Sequence, residues 1–171
     1  KGVRVRVLTN SLASSDERVV HAGYMKRRHD LLRAGVELYE MKPGAADSSL
    51  QVRGRVGPAK VSGLHAKTFA VDDQRVFVGS FNFDLRSARL NTEMGLVIDD
   101  PVFARELARL FDDERHGAFY EVRLAPDGQN LQWVERDGTG KQVVHEADPE
   151  TTAWQRLQVG FLAGLPIDWL L

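Results

Sequence analysis

The first chemical signal in the sequence is a histidine two residues before a lysine, His65 and Lys67. Residues two apart in an extended strand project from the same face, so these side chains would lie side by side. An imidazole beside a fixed positive charge suits chemistry on phosphate. The ammonium group binds phosphate oxygens, while a ring nitrogen attacks phosphorus or carries a proton. The pair therefore indicates a site for phosphodiester chemistry.

A second group of candidate residues follows a dozen positions later. Gly79 permits close approach of the backbone to a ligand, and Ser80 and Asn82 supply neutral hydrogen-bond donors. Because an unpaired lysine is costly to bury, Lys67 needs an anionic ligand or neighbouring carboxylates. These residues together would hold a phosphate between a cation and neutral donors.

The sequence around this group predicts the elements that must position it. In chain order they are a strand over 64–71, a turn at 72–74, a returning strand over 75–78, a helical or irregular segment over 81–89, and a strand over 91–98. A helix should begin at Pro101, because proline is favoured at the first helical position.

A βαβ unit is predicted upstream of the candidate site. Valines alternate with basic residues over 3–8, which is typical of a strand, and residues 36–40 form the second strand. Between them, Ser14 and Glu17 have the spacing of a capping box. The helix that they would start should end near Gly35.

Downstream of residue 117 the pattern changes. Three alternating runs, over 118–125, 131–136 and 141–146, predict a β-meander. The segment 148–171 is expected to hold a last helix, capped by Asp148-Pro149-Glu150, and an apolar tail. A long loop over 42–63 carries three basic residues that either contact lipid phosphates or are merely solvated: Arg53, Arg55 and Lys60.

The composition limits the possible functions. The chain has 171 residues, with 43% hydrophobic and 27% charged residues and a net charge of −1, which argues against binding to nucleic acid through bulk charge. The absence of cysteine excludes disulfides, thiolate catalysis and Cys-ligated zinc. Because the chain begins inside a strand pattern without a methionine, we expect a fragment of a longer protein.

The complete spacing, His-x-Lys, four residues, Asp, six residues, Gly-Ser-x-Asn, resembles the HKD signature of the phospholipase D superfamily. The matching positions are His65, Lys67, Asp72, Gly79, Ser80 and Asn82. The resemblance implies an α/β fold, the phospholipase D-like α/β/α sandwich with a mixed central sheet. The meander near 118–146 would be an insertion in a single domain over 1–171.

Longer phrases resemble the C-terminal half of bacterial cardiolipin synthases, most closely the type C subfamily. They include Asn10-Ser11, residues 31–40, residues 87–93 and Leu165-Pro166-Ile167. The resemblance implies a phosphatidyl transferase that makes cardiolipin from phosphatidylglycerol and a second phospholipid, such as phosphatidylethanolamine. The reaction would pass through a phosphohistidine and use neither a cofactor nor a metal. The implied location is bacterial, peripheral at the cytoplasmic face of the inner membrane.

The resemblance also implies a role for each site residue. His65 would be the general acid/base, and Glu93 would accept the other ring N–H of that histidine. Asp72 belongs to the catalytic motif, but its position beyond the strand favours a structural role. Residues implied to bind the substrate phosphate are Lys67, Ser80 and Asn82, and weaker pocket candidates are Asn10, His21 and Tyr24.

The family's active site needs two HKD motifs, and this sequence has one. The second would come from an N-terminal half of the same protein or from a second copy, so the chain alone should be inactive. Two other functions stay open: a phospholipase D-like phosphodiesterase or nuclease acting as a dimer, and a non-catalytic half-domain for membrane docking or dimerisation. Peripheral membrane contact through the apolar tail is a further expectation, and nucleic acid is not an expected partner.

Overall fold

The computed structural model describes residues 2–45, 64–112, 117–136, 139 and 141–165. Its elements, in chain order, are β1 (Arg6–Asn10), α1 (Arg18–Met25), α2 (Arg28–Arg33), β2 (Glu37–Met41), β3 (Lys67–Val71), β4 (Arg75–Gly79), α3 (Leu85–Arg89), β5 (Gly95–Asp99), α4 (Pro101–Asp112), β6 (Phe119–Leu124), β7 (Leu131–Arg136), β8 (Gln142–His145) and α5 (Ala153–Gly164). The chain divides into two compact units, the second of which begins at His65 and includes β3, β4, β5, α3 and α4. The loop predicted over 42–63 lies outside the described residues from position 46 onward, and so does the predicted apolar tail beyond Leu165.

The first unit is built on a five-stranded mixed sheet with the order β1-β2-β6-β7-β8. β1 and β2 are parallel, as expected for a βαβ unit, whereas all other pairs are antiparallel. The predicted meander is present as β6, β7 and β8. It continues the sheet directly, because β6 pairs with β2 in a register that places Leu38 opposite Val122.

The helix predicted between β1 and β2 is two helices, which are separated at Lys26 and Arg27. Its predicted end is confirmed: Gly35 has a φ of +84°, and the amide of Val36 donates to the carbonyl of Leu31. This is the Schellman arrangement, in which glycine adopts the left-handed conformation without a steric penalty.

The predicted capping box at Ser14 and Glu17 is wrong. α1 begins after Glu17 with no side-chain cap. The hydroxyl of Ser14 is buried and donates instead to the carbonyl of Met41 at 2.9 Å. The amide of Ser11 donates to the same carbonyl at 3.2 Å, so the loop after β1 is bound to the end of β2 by two hydrogen bonds.

The last helix is capped by other residues than those predicted. Thr152 and Gln155 form a reciprocal capping box at the start of α5. Glu150 has a φ of +56°, and Asp148 accepts a hydrogen bond from Arg28 at 2.8 Å. Asp148 thus pairs with Arg28 of α2 and does not cap the last helix, which begins at Ala153.

The second unit is a three-stranded antiparallel sheet with the order β3-β4-β5. α4 packs on β3 and β4, and Val76 and Ala104 are buried there. The predicted start of α4 is confirmed, since the carboxylate of Asp100 accepts from the amides of Val102 and Phe103. The predicted mixed α/β fold is confirmed, but the described strands form two sheets where one central sheet was expected.

A fully buried arginine joins several elements of the first unit. Arg28 on α2 contacts the carboxylates of Glu40 on β2 at 2.9 Å and Asp148 at 2.8 Å. Glu40 also accepts hydrogen bonds from Tyr24 at 3.0 Å and Trp133 at 2.9 Å. A buried charge is tolerated only when it is paired and hydrogen-bonded. We call these five residues, together with His21, the Arg28 network.

His21 accepts a hydrogen bond from Arg28 at its Nε2 atom, at 2.9 Å. An arginine has no lone pair to offer, so this ring nitrogen must be unprotonated. Burial, together with the positive charge of Arg28, lowers the pKa of His21 to about 3. The imidazole is therefore neutral in the folded protein at neutral pH.

We expect this lowered pKa to make folding stability depend on pH. Below about pH 6.5 the unfolded chain protonates His21 while the folded chain does not, so stability falls as the pH falls towards 3. The contribution approaches about 1.4 kcal/mol per pH unit. Urea unfolding at pH 7, 6 and 5 should show a shallower decline for His21→Gln than for the parent. Other groups titrate in both proteins, so parallel profiles would contradict the assignment.

Candidate functional site

The β3–β4–β5 register brings the candidate residues together. Lys67 lies opposite Gly79, which in turn lies opposite Gly95. Ser80 follows β4 directly, and its amide donates to the carbonyl of Met94 at 2.8 Å. His65 precedes β3 by two residues and is exposed. One end of this small sheet therefore carries both halves of the sequence motif.

His65 and Lys67 are in direct contact. The Nζ atom of Lys67 donates to Nε2 of His65 at 2.9 Å and to the carbonyl oxygen of the same residue at 3.2 Å. An ammonium group can only donate, so Nε2 must carry a lone pair and the ring proton lies on Nδ1. A nitrogen in this state is able to attack an electrophile or to accept a proton.

Ser80 and Glu93 form the second half of the site. The Ser80 hydroxyl donates to the Glu93 carboxylate at 2.5 Å and accepts from the amide of Met94 at 3.0 Å. Asn91 donates to the other Glu93 oxygen at 3.3 Å. The hydrogen bond from Ser80 holds the pKa of Glu93 below its ordinary value. The group is therefore a carboxylate at neutral pH.

The expected contact between Glu93 and the ring of His65 stays a prediction, and the described part of the chain shows other partners for both side chains. Within the described part of the chain, Glu93 is hydrogen-bonded to Ser80 and Asn91, whereas the described partner of the His65 ring is Lys67. Sequence reasoning did not give Asn91 a role. Its position two residues before Glu93, on the same side of an extended segment, is the signal that could have identified it.

Asp72 lies at the other end of the hairpin. It and Asp73 both have a φ of 52°, and the amide of Gln74 donates to the carbonyl of Val71. Two successive positive φ values are typical of the tight turns that join antiparallel strands. The path along β3 from Lys67 to Asp72 is roughly 17 Å at about 3.4 Å per residue. Asp72 is therefore in the turn and is not brought to His65.

Gly79 and Gly95 make room for an aromatic ring. A Cβ atom on Gly79 would lie 2.5 Å from the carbonyl oxygen of Met94, and one on Gly95 would lie 2.2 Å from the ring of Phe77. Any larger residue at Gly79 would push β4 and β5 apart. Gly79 was expected to let a ligand approach the backbone. In the structure, the groups that approach it are the Met94 carbonyl and the ring of Phe77.

An apolar groove lies beside these residues. It has a volume of about 280 Å³ and is lined by Phe69, Phe77, Phe81, Phe83, Glu93, Met94 and Gly95. Phe83 and Met94 are 82% and 79% exposed. Phe69 shares a sheet face with Lys67, since the two residues are two positions apart in β3. The site therefore combines a charged end with an apolar, aromatic surface.

The three weaker candidates belong to the first unit. His21 and Tyr24 are members of the Arg28 network, where their polar atoms are bonded to Arg28 and Glu40. Asn10 ends β1, and its side chain is hydrogen-bonded to the backbone of Leu64. Asn82 belongs to the second unit and is exposed two residues beyond Ser80.

The described residues contain no group of three or more histidine, cysteine, aspartate or glutamate side chains placed to hold a metal ion. Among the same residues, no helix combines the length and the apolar character that crossing a membrane requires.

A family model described as "Cardiolipin synthase, PLD-like domain" matches residues 1–115, which include every residue of the candidate site. The chain therefore belongs to the phospholipase D-like domain family of cardiolipin synthases.

Individual relatives agree with this membership. Cardiolipin synthase C of Escherichia coli (strain K12) is 46% identical over 172 residues, which cover 100% of this chain and 36% of that protein. An uncharacterized protein of Helicobacter pylori (strain J99) is 35% identical over 92% of this chain and 30% of its own length. Cardiolipin synthase A of Yersinia pestis is 38% identical over 49% of this chain and 14% of its own length. The chain thus spans about a third or less of these relatives. No solved structure matches it.

The packing at Gly79 gives a prediction for stability. Gly79→Ala would force a Cβ atom against the Met94 carbonyl, so the β4–β5 pairing must shift. We expect a loss of about 1–3 kcal/mol in the free energy of unfolding, as for overpacked interiors. Urea unfolding should show this loss. The control, Gly160→Ala in α5, has nothing within 4 Å of the new atom and should be neutral or stabilising. Equal effects at both positions would contradict the steric argument.

Proposed function

We propose that this chain supplies the second HKD motif of a phosphatidyl transferase that makes cardiolipin from phosphatidylglycerol and a second phospholipid. The observation that carries the proposal is the contact between His65 and Lys67 at the motif-bearing end of the β3–β4 hairpin. It combines an unprotonated ring nitrogen, whose lone pair accepts from Lys67, with a cation suited to a phosphate oxygen.

Lys67 is the main phosphate ligand in this proposal. Its partner in the structure is a neutral imidazole, and a phosphate oxygen is a stronger acceptor for an ammonium group because the bond is charge-assisted at both ends. When Lys67 turns to the phosphate, Nε2 of His65 is released for proton transfer. Asn82 would add a neutral donor.

The hydroxyl of Ser80 is hydrogen-bonded to protein groups, and its expected bond to the substrate phosphate stays a prediction. Its single hydroxyl proton is donated to Glu93, and its oxygen accepts from the amide of Met94. A hydroxyl has only one proton to donate, so it does not bind a phosphate oxygen while this bond persists. Ser80 therefore joins Glu93 to the β4–β5 backbone. The Glu93 carboxylate places a negative charge near Lys67 that helps to retain the cation.

The reaction would proceed in two displacements. Once Lys67 has turned to the phosphate, Nε2 of His65 takes up a proton from water. A histidine of the other motif then attacks phosphorus, the bond from phosphorus to the head-group oxygen breaks, and the departing oxygen takes that proton from Nε2 of His65. The hydroxyl of phosphatidylglycerol then gives its proton to His65 and attacks phosphorus, which releases the first histidine. Two phosphatidylglycerol molecules would yield glycerol, and phosphatidylethanolamine as donor would yield ethanolamine. The attacking histidine, which belongs to the other motif, would come from an N-terminal half of the protein or from another copy.

Two features favour a lipid substrate over nucleic acid. The apolar groove adjoins Glu93, so a substrate with apolar chains next to its phosphate matches the surface. Over residues 65–112, acidic residues outnumber basic ones by eight to six. A polyanion such as DNA is bound through many cations, and this unit does not present an excess of them.

Peripheral membrane contact has a candidate surface on α5. Trp154, Leu157 and Phe161 are 65%, 63% and 69% exposed, and their spacing places them on one side of the helix. Tryptophan favours the interface of a bilayer. We expect Trp154→Ala to weaken binding to phosphatidylglycerol vesicles in a sedimentation assay severalfold. Unchanged binding would contradict membrane contact through this face of α5.

The proposed activity is tested by replacing His65. The intact natural polypeptide that carries this chain should convert vesicles of phosphatidylglycerol and phosphatidylethanolamine into cardiolipin, detected by lipid mass spectrometry. His65→Ala should lower the rate by about 10²–10⁴-fold, the usual contribution of a general acid/base. The released head group, glycerol or ethanolamine, identifies the donor lipid.

The control for this experiment is His29→Ala. That histidine lies on α2 and contacts the carbonyl of Gln129, so its loss should leave the rate within about twofold. The isolated, monomeric 171-residue chain should be inactive in the same assay. Full activity of His65→Ala would refute the proposal. If the protein is folded but forms no cardiolipin, its substrate would be another phosphodiester, and nucleic acid would be tested next.

A further inference from the structure

The side chain of Asn10 is hydrogen-bonded twice to one backbone residue. Its Nδ2 atom donates to the carbonyl of Leu64 at 3.0 Å, and its Oδ1 atom accepts from the amide of Leu64 at 2.6 Å. The side-chain amide thus satisfies both polar groups of Leu64, as a neighbouring strand would. Both residues belong to the first unit, so this contact is internal to it.

Leu64 is also held by packing. Its side chain contacts the apolar cluster formed by Met41, Ala45 and Ala118. The residue is therefore fixed by apolar contact on its side chain and by the Asn10 amide on its backbone. Residues 64–66 precede β3, which begins at Lys67. Asn10 therefore holds the backbone just before the strand that carries Lys67 begins.

We propose that Asn10 is a positioning residue for His65, acting through the Leu64–His65 peptide bond. A peptide group is planar, and the plane of this one contains the Leu64 carbonyl together with the nitrogen and Cα of His65. A bond that fixes the carbonyl therefore fixes the plane from which the His65 side chain starts. The inference rests on the proposed function, because it assumes that His65 carries out proton transfer.

The residue type matches this role. Asparagine presents one acceptor and two donor hydrogens on a planar group, which suits the acceptor and the donor of a single residue. Alanine would provide neither bond. Aspartate would keep the acceptor but place a second oxygen against the Leu64 carbonyl. A displacement of the catalytic group by about 1 Å can cost about 10²-fold in rate.

The test measures both the contact and its effect on catalysis in the intact polypeptide. Asn10→Ala and Asn10→Asp should lower kcat for cardiolipin formation by about tenfold to a hundredfold, with KM within about threefold of the parent. The KM should change little because Lys67 and Asn82, which would bind the phosphate, are unaltered. In hydrogen exchange, peptides that contain Leu64 should exchange faster in Asn10→Ala than in the parent.

The matched control is Ser14→Ala. Ser14 follows the same strand and donates a buried hydrogen bond to Met41, but it makes no hydrogen bond to Leu64. Its replacement should cost stability without changing kcat at temperatures well below unfolding. If Ser14→Ala and Asn10→Ala lower kcat equally for equal losses of stability, Asn10 has only a structural role and the inference is wrong.

The outcomes separate this inference from the proposed function. Full activity of His65→Ala overturns the proposed function, and the inference with it, whatever Asn10 does. An inactive His65→Ala beside an unchanged kcat of Asn10→Ala overturns the inference alone. Unchanged exchange at Leu64 in Asn10→Ala also overturns it, because the contact on which it depends would then not protect that amide.

Discussion

The register of the β3–β4 hairpin determines which side chains can act together. Lys67 lies opposite Gly79, so Ser80 falls directly beyond the paired residues, where it meets Met94 and Glu93. A shift of one residue would turn Lys67 to the opposite face of the sheet. The register is maintained by the positive φ values of the turn at one end and by the space that Gly79 leaves at the other. The chemistry of the site therefore depends on packing at a position with no side chain.

The main cation of the first unit, Arg28, and that of the candidate site, Lys67, have opposite environments. Arg28 is buried and is paired with two carboxylates, so its charge is fixed and stabilises one arrangement of helices and strands. Lys67 is only partly buried, and the described partner of its ammonium group is His65. A buried ion pair does not readily change partners, because separating the two groups would leave a buried charge that neither a counter-charge nor water stabilises. A cation bound to a neutral ring exchanges that partner for an anion at little cost. This difference separates a structural charge from one that can bind substrate.

The sequence predicted the features that depend on neighbouring residues. Some features depend on contacts between residues only a few positions apart. They are the strands of the hairpin, the meander, the end of α2 at Gly35 and the start of α4 at Pro101. The role of Ser14 could not be predicted in this way. Its hydroxyl donates to Met41, 27 residues away, and this bond forms in place of a local cap of α1. The Arg28–Asp148 pair spans 120 residues, and Asn10–Leu64 spans 54. Such contacts join helices, loops and strands that are far apart in the chain, and local periodicity does not specify which of them meet.

The site described here can serve one side of a phosphorus atom. In-line displacement places the attacking and departing atoms on opposite sides of phosphorus. The Nε2 atom of His65 has one lone pair, which either attacks or holds the proton that the departing oxygen receives. It cannot perform both tasks in one step. A transfer that passes through a phosphohistidine therefore needs a second ring on the far side, and Lys67 alone would leave the far oxygens without a cation. This requirement supports the pairing of two motifs in the proposed mechanism, whichever polypeptide provides the other one.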